Sequence, residues 1–176
     1  MIGIIITSAI VIAIFISVFI FYHNKFKFAI IKLDKAEEDI NMYLNKKYEL
    51  LDRTRPIVKK ELKVDDFMPN IENYDPESSN IDNHNLLKSC YNELFKVLDD
   101  HEKLLKSKTL IKILDELNDN EEDVIGSIKF YNDTVVTFNE LVATFPSSVV
   151  ALLSRYKRLE FYSNEKREIF EILNSK

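Results

Sequence analysis

Glycine and proline are scarce in this chain, with two glycines and four prolines in 176 residues, and tryptophan is absent. So few turn-forming residues leave nothing from which to build a series of β-hairpins. They also exclude the glycine-rich loops that cradle phosphates. The sole cysteine, Cys90, forms no intramolecular disulfide and offers no partner for a structural zinc site. It lies in an apolar stripe with Leu86, Leu87 and Leu94, the setting of a buried thiol rather than a nucleophile. The histidines, His23, His84 and His101, stand far apart. His101–Glu102 lacks the second histidine that a zinc-protease helix places one turn later, so His101 is expected on a helix face. No Glu-x-x-His and no Gly-x-Ser-x-Gly occurs, which removes a ferritin-like di-iron site and the nucleophile elbow of a hydrolase. The expectation is a protein with no enzymatic activity, no catalytic residues, no metal site and no cofactor.

What the chain does have is an uncharged apolar run, Ile2 to Tyr22, ahead of His23 and Lys25. Its 21 residues make a helix of about 31 Å at the usual rise, which matches the hydrocarbon core of a bilayer. Gly3, Thr7, Ser8 and Ser17 interrupt it, but small hydroxylated side chains return their hydrogen bonds to the helix backbone. A cleaved signal peptide would need a basic start and a small-residue cleavage site, whereas Phe19, Phe21 and Tyr22 fill that place. The run is therefore expected to be an uncleaved single-pass anchor over residues 1–22. Lys25, Lys27, Lys32 and Lys35 follow it and no basic side chain precedes it, so the positive-inside rule sets these four as topology-determining. They place a short N-terminus outside and the body, residues 23–176, in the cytoplasm.

Charge is uneven along that body. Residues 24–63 carry 11 Lys and Arg against 7 Asp and Glu, and residues 64–100 carry 2 against 9. The basic end beside the anchor suits anionic lipid head groups, and beyond Lys35 equally suits a solvated helix face with intrahelical Glu–Lys pairs. The body is acidic overall and lacks a basic stripe with interleaved aromatics, so no nucleic-acid partner is expected. The expected partners are the lipid bilayer, through the anchor, and a protein that the sequence does not identify.

Phe26, Ile30, Leu33, Ala36, Ile40, Leu44, Tyr48 and Leu51 recur at helical steps, with no break from the apolar run. One helix is expected over about 2–62, either kinked by Pro56 or ending there for another to begin. Residues 64–83 hold two prolines and many Asn and Asp without a period, and read as a solvated loop. Its acids lack the alternating ligands and central glycine of a calcium loop. Leu87, Cys90, Leu94, Leu98, Leu104, Ile111, Leu114 and Leu117 describe one helix, or two joined near Ser107–Thr109. Asn118 and Asp119 offer a cap, with Glu121, Glu122 and Asp123 in the first turn of a further helix. Along it Val124, Ile128, Tyr131, Val135, Phe138, Val142 and Phe145 form the best seam. Pro146 ends it. Ser147 or Ser148 caps a last helix with Val150, Leu153, Tyr156 and Leu159, and residues 165–173 add a turn or two. Each stripe needs facing helices, so the fold class is all-α: an N-terminal transmembrane helix continuing into an antiparallel bundle of three to four helices.

Tyr131-Asn132 and Phe138-Asn139 repeat an aromatic–asparagine pair at an interval of seven, which sets both amides on one edge of the seam. Such amides fix helix register across a bundle, or alternatively contact a ligand or partner.

Residues Phe130 to Ala151, FYNDTVVTFNELVATFPSSVVA, resemble the C-terminal signature of bacterial LemA proteins. Tyr131, Asn132, Val135, Phe138, Asn139, Phe145, Pro146, Ser147 and Ala151 stand where that signature places them. Ala36, Ile40, Leu44, Lys47, Tyr48, Leu50 and Leu51 resemble the family's segment after the anchor. Glu37, Asp52 and Ile128 depart from it, where the family often has Trp, Pro and Arg. The resemblance implies an N-terminal membrane anchor and a cytoplasmic helical domain, with no established enzymatic activity. The functional expectation is a membrane-anchored interaction scaffold, the alternative being a sensor or small-ligand-binding domain using the Asn132/Asn139 edge.

Overall fold

A computed structural model describes residues 1–162, and no strand occurs among them. Helix α1 spans Ile2–Leu62, α2 Asn80–Asp100, α3 Lys108–Ala143 and α4 Ser147–Ser154. Short 3-10 helices cover Pro69–Asn73 and Glu102–Lys106. The all-α architecture is the expected one. The turns expected over residues 165–173 lie outside the described residues.

Helix α1 is a single element of 61 residues. Its N-terminal part is long and apolar enough to cross a membrane, and none of that window is buried within the protein. The Thr7 hydroxyl donates to the Gly3 carbonyl at 3.0 Å and that of Ser17 to the Ala13 carbonyl at 2.8 Å, so neither presents an unmet donor. Pro56 sits inside the helix, which runs on to Leu62. Leu50, Leu51 and Val58 are buried on either side of it, and burying such side chains contributes about 1.5–3 kcal/mol each, enough to offset the missing proline donor.

The contacts divide the chain into one unit of residues 1–35 with those from 130 onward, and a second of residues 36–129. In the first, Phe26, Ala29, Leu33, Val135, Phe138, Val150 and Ala151 form the core. The Phe26 ring stacks on Tyr156 at 4.7 Å and meets Phe138 edge-on at 5.4 Å, the geometries that aromatic quadrupoles favour.

In the second unit α1 and α3 run antiparallel. The Asn120 amide donates to the Tyr43 carbonyl at 3.1 Å and Lys47 pairs with Glu121, whereas Arg53, further along α1, lies 3.5 Å from the earlier residue Glu116. The segment between α1 and α2 is not the free loop expected over 64–83. It retraces α1, with Glu72 on Arg55 at 2.9 Å, the Tyr74 hydroxyl on Asn45 at 2.8 Å and the Asn80 amide on the Glu37 carbonyl at 3.4 Å. Phe67, Met68 and Ile71 are buried along the way, which explains its order despite a loop-like composition. Helix α2 therefore runs parallel to α1 and begins at Asn80, where the Ser79 hydroxyl accepts from the Ile81 N–H.

Five further expectations are corrected. Helix α3 does not start near Asn118, and His101 is not on a helix face. Residues 108–143 are one helix, because Leu117 and Val124, both fully buried, keep the same stripe in register across the polar cluster. His101 stands between helices as the C-terminal cap of α2. Phe145 does not extend the seam either: α3 ends at Ala143, and the Phe145 side chain is 83% exposed. Helix α4 is shorter than expected, so Tyr156 and Leu159 fall after it. It closes on Arg155 at φ 60°, with the Tyr156 N–H on the Ala151 carbonyl at 2.9 Å and the Arg155 N–H on Leu152 at 3.3 Å. No serine side chain caps its start. The Ser147 hydroxyl instead donates to the Thr144 carbonyl at 2.9 Å and is buried.

Candidate functional site

The aromatic–asparagine repeat folds into a clamp. Both asparagines are buried on one face of α3, as the interval of seven requires. Their partners are not a neighbouring helix but the irregular segment after α4. The Asn139 amide donates to the Leu159 carbonyl at 2.9 Å, and its side-chain oxygen accepts from the Leu159 N–H at 2.8 Å. Asn132 accepts from the Tyr162 N–H at 2.8 Å. Asn139 thereby pairs both backbone groups of one residue, a geometry available to an amide and not to a carboxylate. Tyr131 meets the Tyr162 ring edge-on at 6.0 Å. Phe138 and Val135 turn inward beneath the clamp, while Pro146 and Ser147 turn the chain into α4. The signature residues thus hold the chain that follows α4 against α3, with Phe145 left in the open.

The four lysines expected to set topology, Lys25, Lys27, Lys32 and Lys35, are all exposed on α1. Two of them line a groove of about 620 Å³, bounded by Phe21, Lys25, Phe28, Lys32, Phe130 and Leu141. The Lys25 ammonium lies 4.7 Å from the Phe21 ring centroid and that of Lys32 4.7 Å from Phe28. The lining sets these two cations against the one carboxylate of Asp133, and cations over aromatic faces beside apolar walls suit an amphipathic occupant of negative charge. Lys27 and Lys35 lie off the groove lining.

The second unit holds a buried ion pair that sequence reasoning had no reason to assemble. Lys47 is fully buried, bonds the Glu121 carboxylate and stands 5.0 Å from the Tyr91 ring centroid. The signal for Lys47 was its place on the stripe Ile40, Leu44, Leu51, where a cation has no business without a partner; the partner, 74 residues away, had none. Burial holds the nearby His84 imidazole below its ordinary range, and Lys47 acts in the same direction. Burial also raises the Cys90 thiol, with Glu93 adding to it, so this cysteine is a poor nucleophile. Among the described residues no group of three or more His, Cys, Asp and Glu is arranged to hold a metal ion.

Arg55 is the remaining hub, 15% exposed, with its guanidinium on Asp52, Asp66, Glu72 and the Phe67 carbonyl. The Glu72 bond is the largest influence raising its pKa, against burial. The Phe67 N–H holds the Asp66 carboxyl below its ordinary range, more than Lys59 and Arg55 do. Asp66 and Glu72 of the connecting segment thus pair with an arginine of α1.

Comparison with curated proteins returns no match. A model of the LemA family matches residues 36–172, most of the chain and the whole of both signature segments. With the aromatic–asparagine clamp and the Phe-Pro-Ser turn inside the matched range, the chain belongs to the LemA family.

Proposed function

We propose that this protein is a non-enzymatic interaction scaffold tethered to the cytoplasmic membrane, with the apolar run of α1 crossing the bilayer and the helical body on the cytoplasmic side. The observation that carries the reading is the exposure of that run. An apolar window of mean hydropathy 3.0, with none of it buried, continues without a break into a folded helical body. An exposed apolar surface of that extent needs a covering solvent, and lipid tails supply it. The scaffold role is favoured by side chains committed to holding the fold: Asn132, Asn139, Lys47 and Arg55 all bond within the chain.

Alkaline washing of membranes from cells that produce the full chain tests the tether. It should stay in the pellet, and release into the wash would end the reading. Reporter fusions at the C-terminus should report the cytoplasm. Neutralising Lys25, Lys27, Lys32 and Lys35 together should mix the orientations, and unchanged topology would show that another feature sets it. Purification of the full chain in native lipid should bring down a specific protein; recovery of none would argue against a scaffold. The second reading, a small-ligand-binding domain, now rests on the groove beside Lys25 and Lys32, because the Asn132/Asn139 edge is engaged by Leu159 and Tyr162. A thermal shift with an amphipathic anion, abolished by Phe28→Ala, would support it.

A further inference from the structure

Helix α4 keeps only one side for the core. Ser147, Val150 and Ala151 are buried, while Leu152 is 79% exposed, Leu153 60% and Val149 36%, with Phe145 just before the helix at 83%. Val149, Leu152 and Leu153 are spaced to share one helix face. Three apolar side chains open on one helix face, with Phe145 open at the turn before it, are the mark of a surface that meets something.

Three observations identify the occupant. The first is position. Ser154 lies 3.5 Å from the His23 ring, Tyr156 stacks on Phe26, and Phe19 and Tyr22 pack against the cluster that contains Val150 and Ala151. Helix α4 thus sits beside α1 residues 19–26, where the apolar run gives way to the lysines. The second is direction. Helix α4 leaves α3 at 94°, and α3 packs along α1 in this unit through Phe138 on Phe26. A helix turned across at that level lies along the plane of a bilayer that α1 crosses. The third is charge. Residues 141–159 contain no Asp or Glu, and Arg155, Lys157 and Arg158 follow the apolar face directly.

We propose that α4 and Phe145 form a second membrane contact, an interfacial wedge beside the anchor. Phe145, Val149, Leu152 and Leu153 enter the boundary between head groups and acyl chains, and Arg155, Lys157 and Arg158 face anionic phosphates. Apolar side chains with a basic flank at the head-group level are the composition of helices that lie in that plane. The inference rests on the reading that α1 spans the bilayer.

The absence of tryptophan makes the test direct, since one introduced indole is the only one in the chain. Full-length Leu152→Trp, Phe15→Trp and Ile111→Trp variants are reconstituted in vesicles of phosphatidylcholine and phosphatidylglycerol. Emission is then quenched from within by nitroxide lipids labelled near the head group or deep in the chain, and from outside by iodide. Leu152→Trp should be quenched by the shallow label and shielded from iodide about threefold or more relative to Ile111→Trp, which lies in the second unit. Phe15→Trp should respond to the deep label. If Phe15→Trp responds and Leu152→Trp is as open to iodide as Ile111→Trp, the wedge is overturned and the anchor stands. If Leu152→Trp is shielded from iodide yet untouched by either lipid label, a second copy of the chain covers α4 and the lipid proposal is likewise overturned. If Phe15→Trp itself is open to iodide, the anchor reading fails and the wedge falls with it.

Discussion

Lys47 shows how one residue determines what its neighbours must be. Its ammonium is fully buried and meets the Glu121 carboxylate, which is 22% exposed. Removing the acid leaves a buried cation with nothing to neutralise it, whereas removing the cation leaves an acid that reaches water. Glu121→Ala should therefore cost about 3–5 kcal/mol in denaturant unfolding, and Lys47→Met should be close to neutral. Equal losses in the two variants would show that the pair is worth its own attraction rather than the avoidance of an orphan charge. Asn139 poses the complementary case, a neutral amide holding a neutral backbone. Asn139→Ala strips both partners from Leu159 and should cost about 1–3 kcal/mol. Trypsin cleavage at Lys157 and Arg158 should speed up in step, since both are exposed and precede the clamped residue. An unchanged cleavage rate would mean that Tyr162 and Tyr156 hold the segment without the amide.

At the scale of elements, the sequence was legible wherever one periodic pattern ran unopposed. Phe26, Leu33, Ala36, Ile40 and Leu44 gave the course of α1, and all are buried. It was misleading where composition and packing disagreed. Asn118, Asp119 and Glu121–Asp123 have the look of a helix start, but Asn118 accepts from the Tyr91 hydroxyl at 3.1 Å and Glu121 serves Lys47, long-range uses that no local rule contains. The acidic connecting segment likewise read as solvated because its organiser, Arg55, lies in a different element. Of the candidate site, the pairing of Asn132 with Asn139 was legible from their interval. Their partners were not, since a side chain bonding to irregular backbone leaves no period. Arg55 offers the test at this scale. Arg55→Ala should free residues 64–75 to exchange amide hydrogens faster than the flanking helices, at a cost of about 1–3 kcal/mol. Arg55→Lys should recover only part, because one ammonium cannot reach Asp52, Glu72 and the Phe67 carbonyl together. Unaltered exchange in Arg55→Ala would assign the order of the segment to Phe67, Met68 and Ile71 alone.

For the molecule as a whole, the ledger of charge sets the response to acid, and His84 is its most informative member. Its imidazole is depressed below the ordinary 6.5, first by burial and then by Lys47, with Glu121 opposing. Above about pH 6.5 the ring is neutral in folded and unfolded chains alike, so it contributes nothing to the difference between them. As the pH falls through that value the unfolded chain takes up a proton first, and stability drops until the folded-state pKa is passed. The slope is a fraction of the roughly 1.4 kcal/mol per pH unit that a full proton would give, because the ring is partly solvated. Asp66 acts lower and in the usual carboxylate sense, with stability present above its ordinary 3.8 and lost as the pH falls further. Between pH 7.5 and 5 the two separate cleanly, so thermal unfolding of the full chain in detergent should show Tm falling across that range, with His84→Gln flattening the fall. A His84→Gln variant whose Tm declines as steeply as the parent's would place the acid sensitivity in the carboxylates and not in the buried ring.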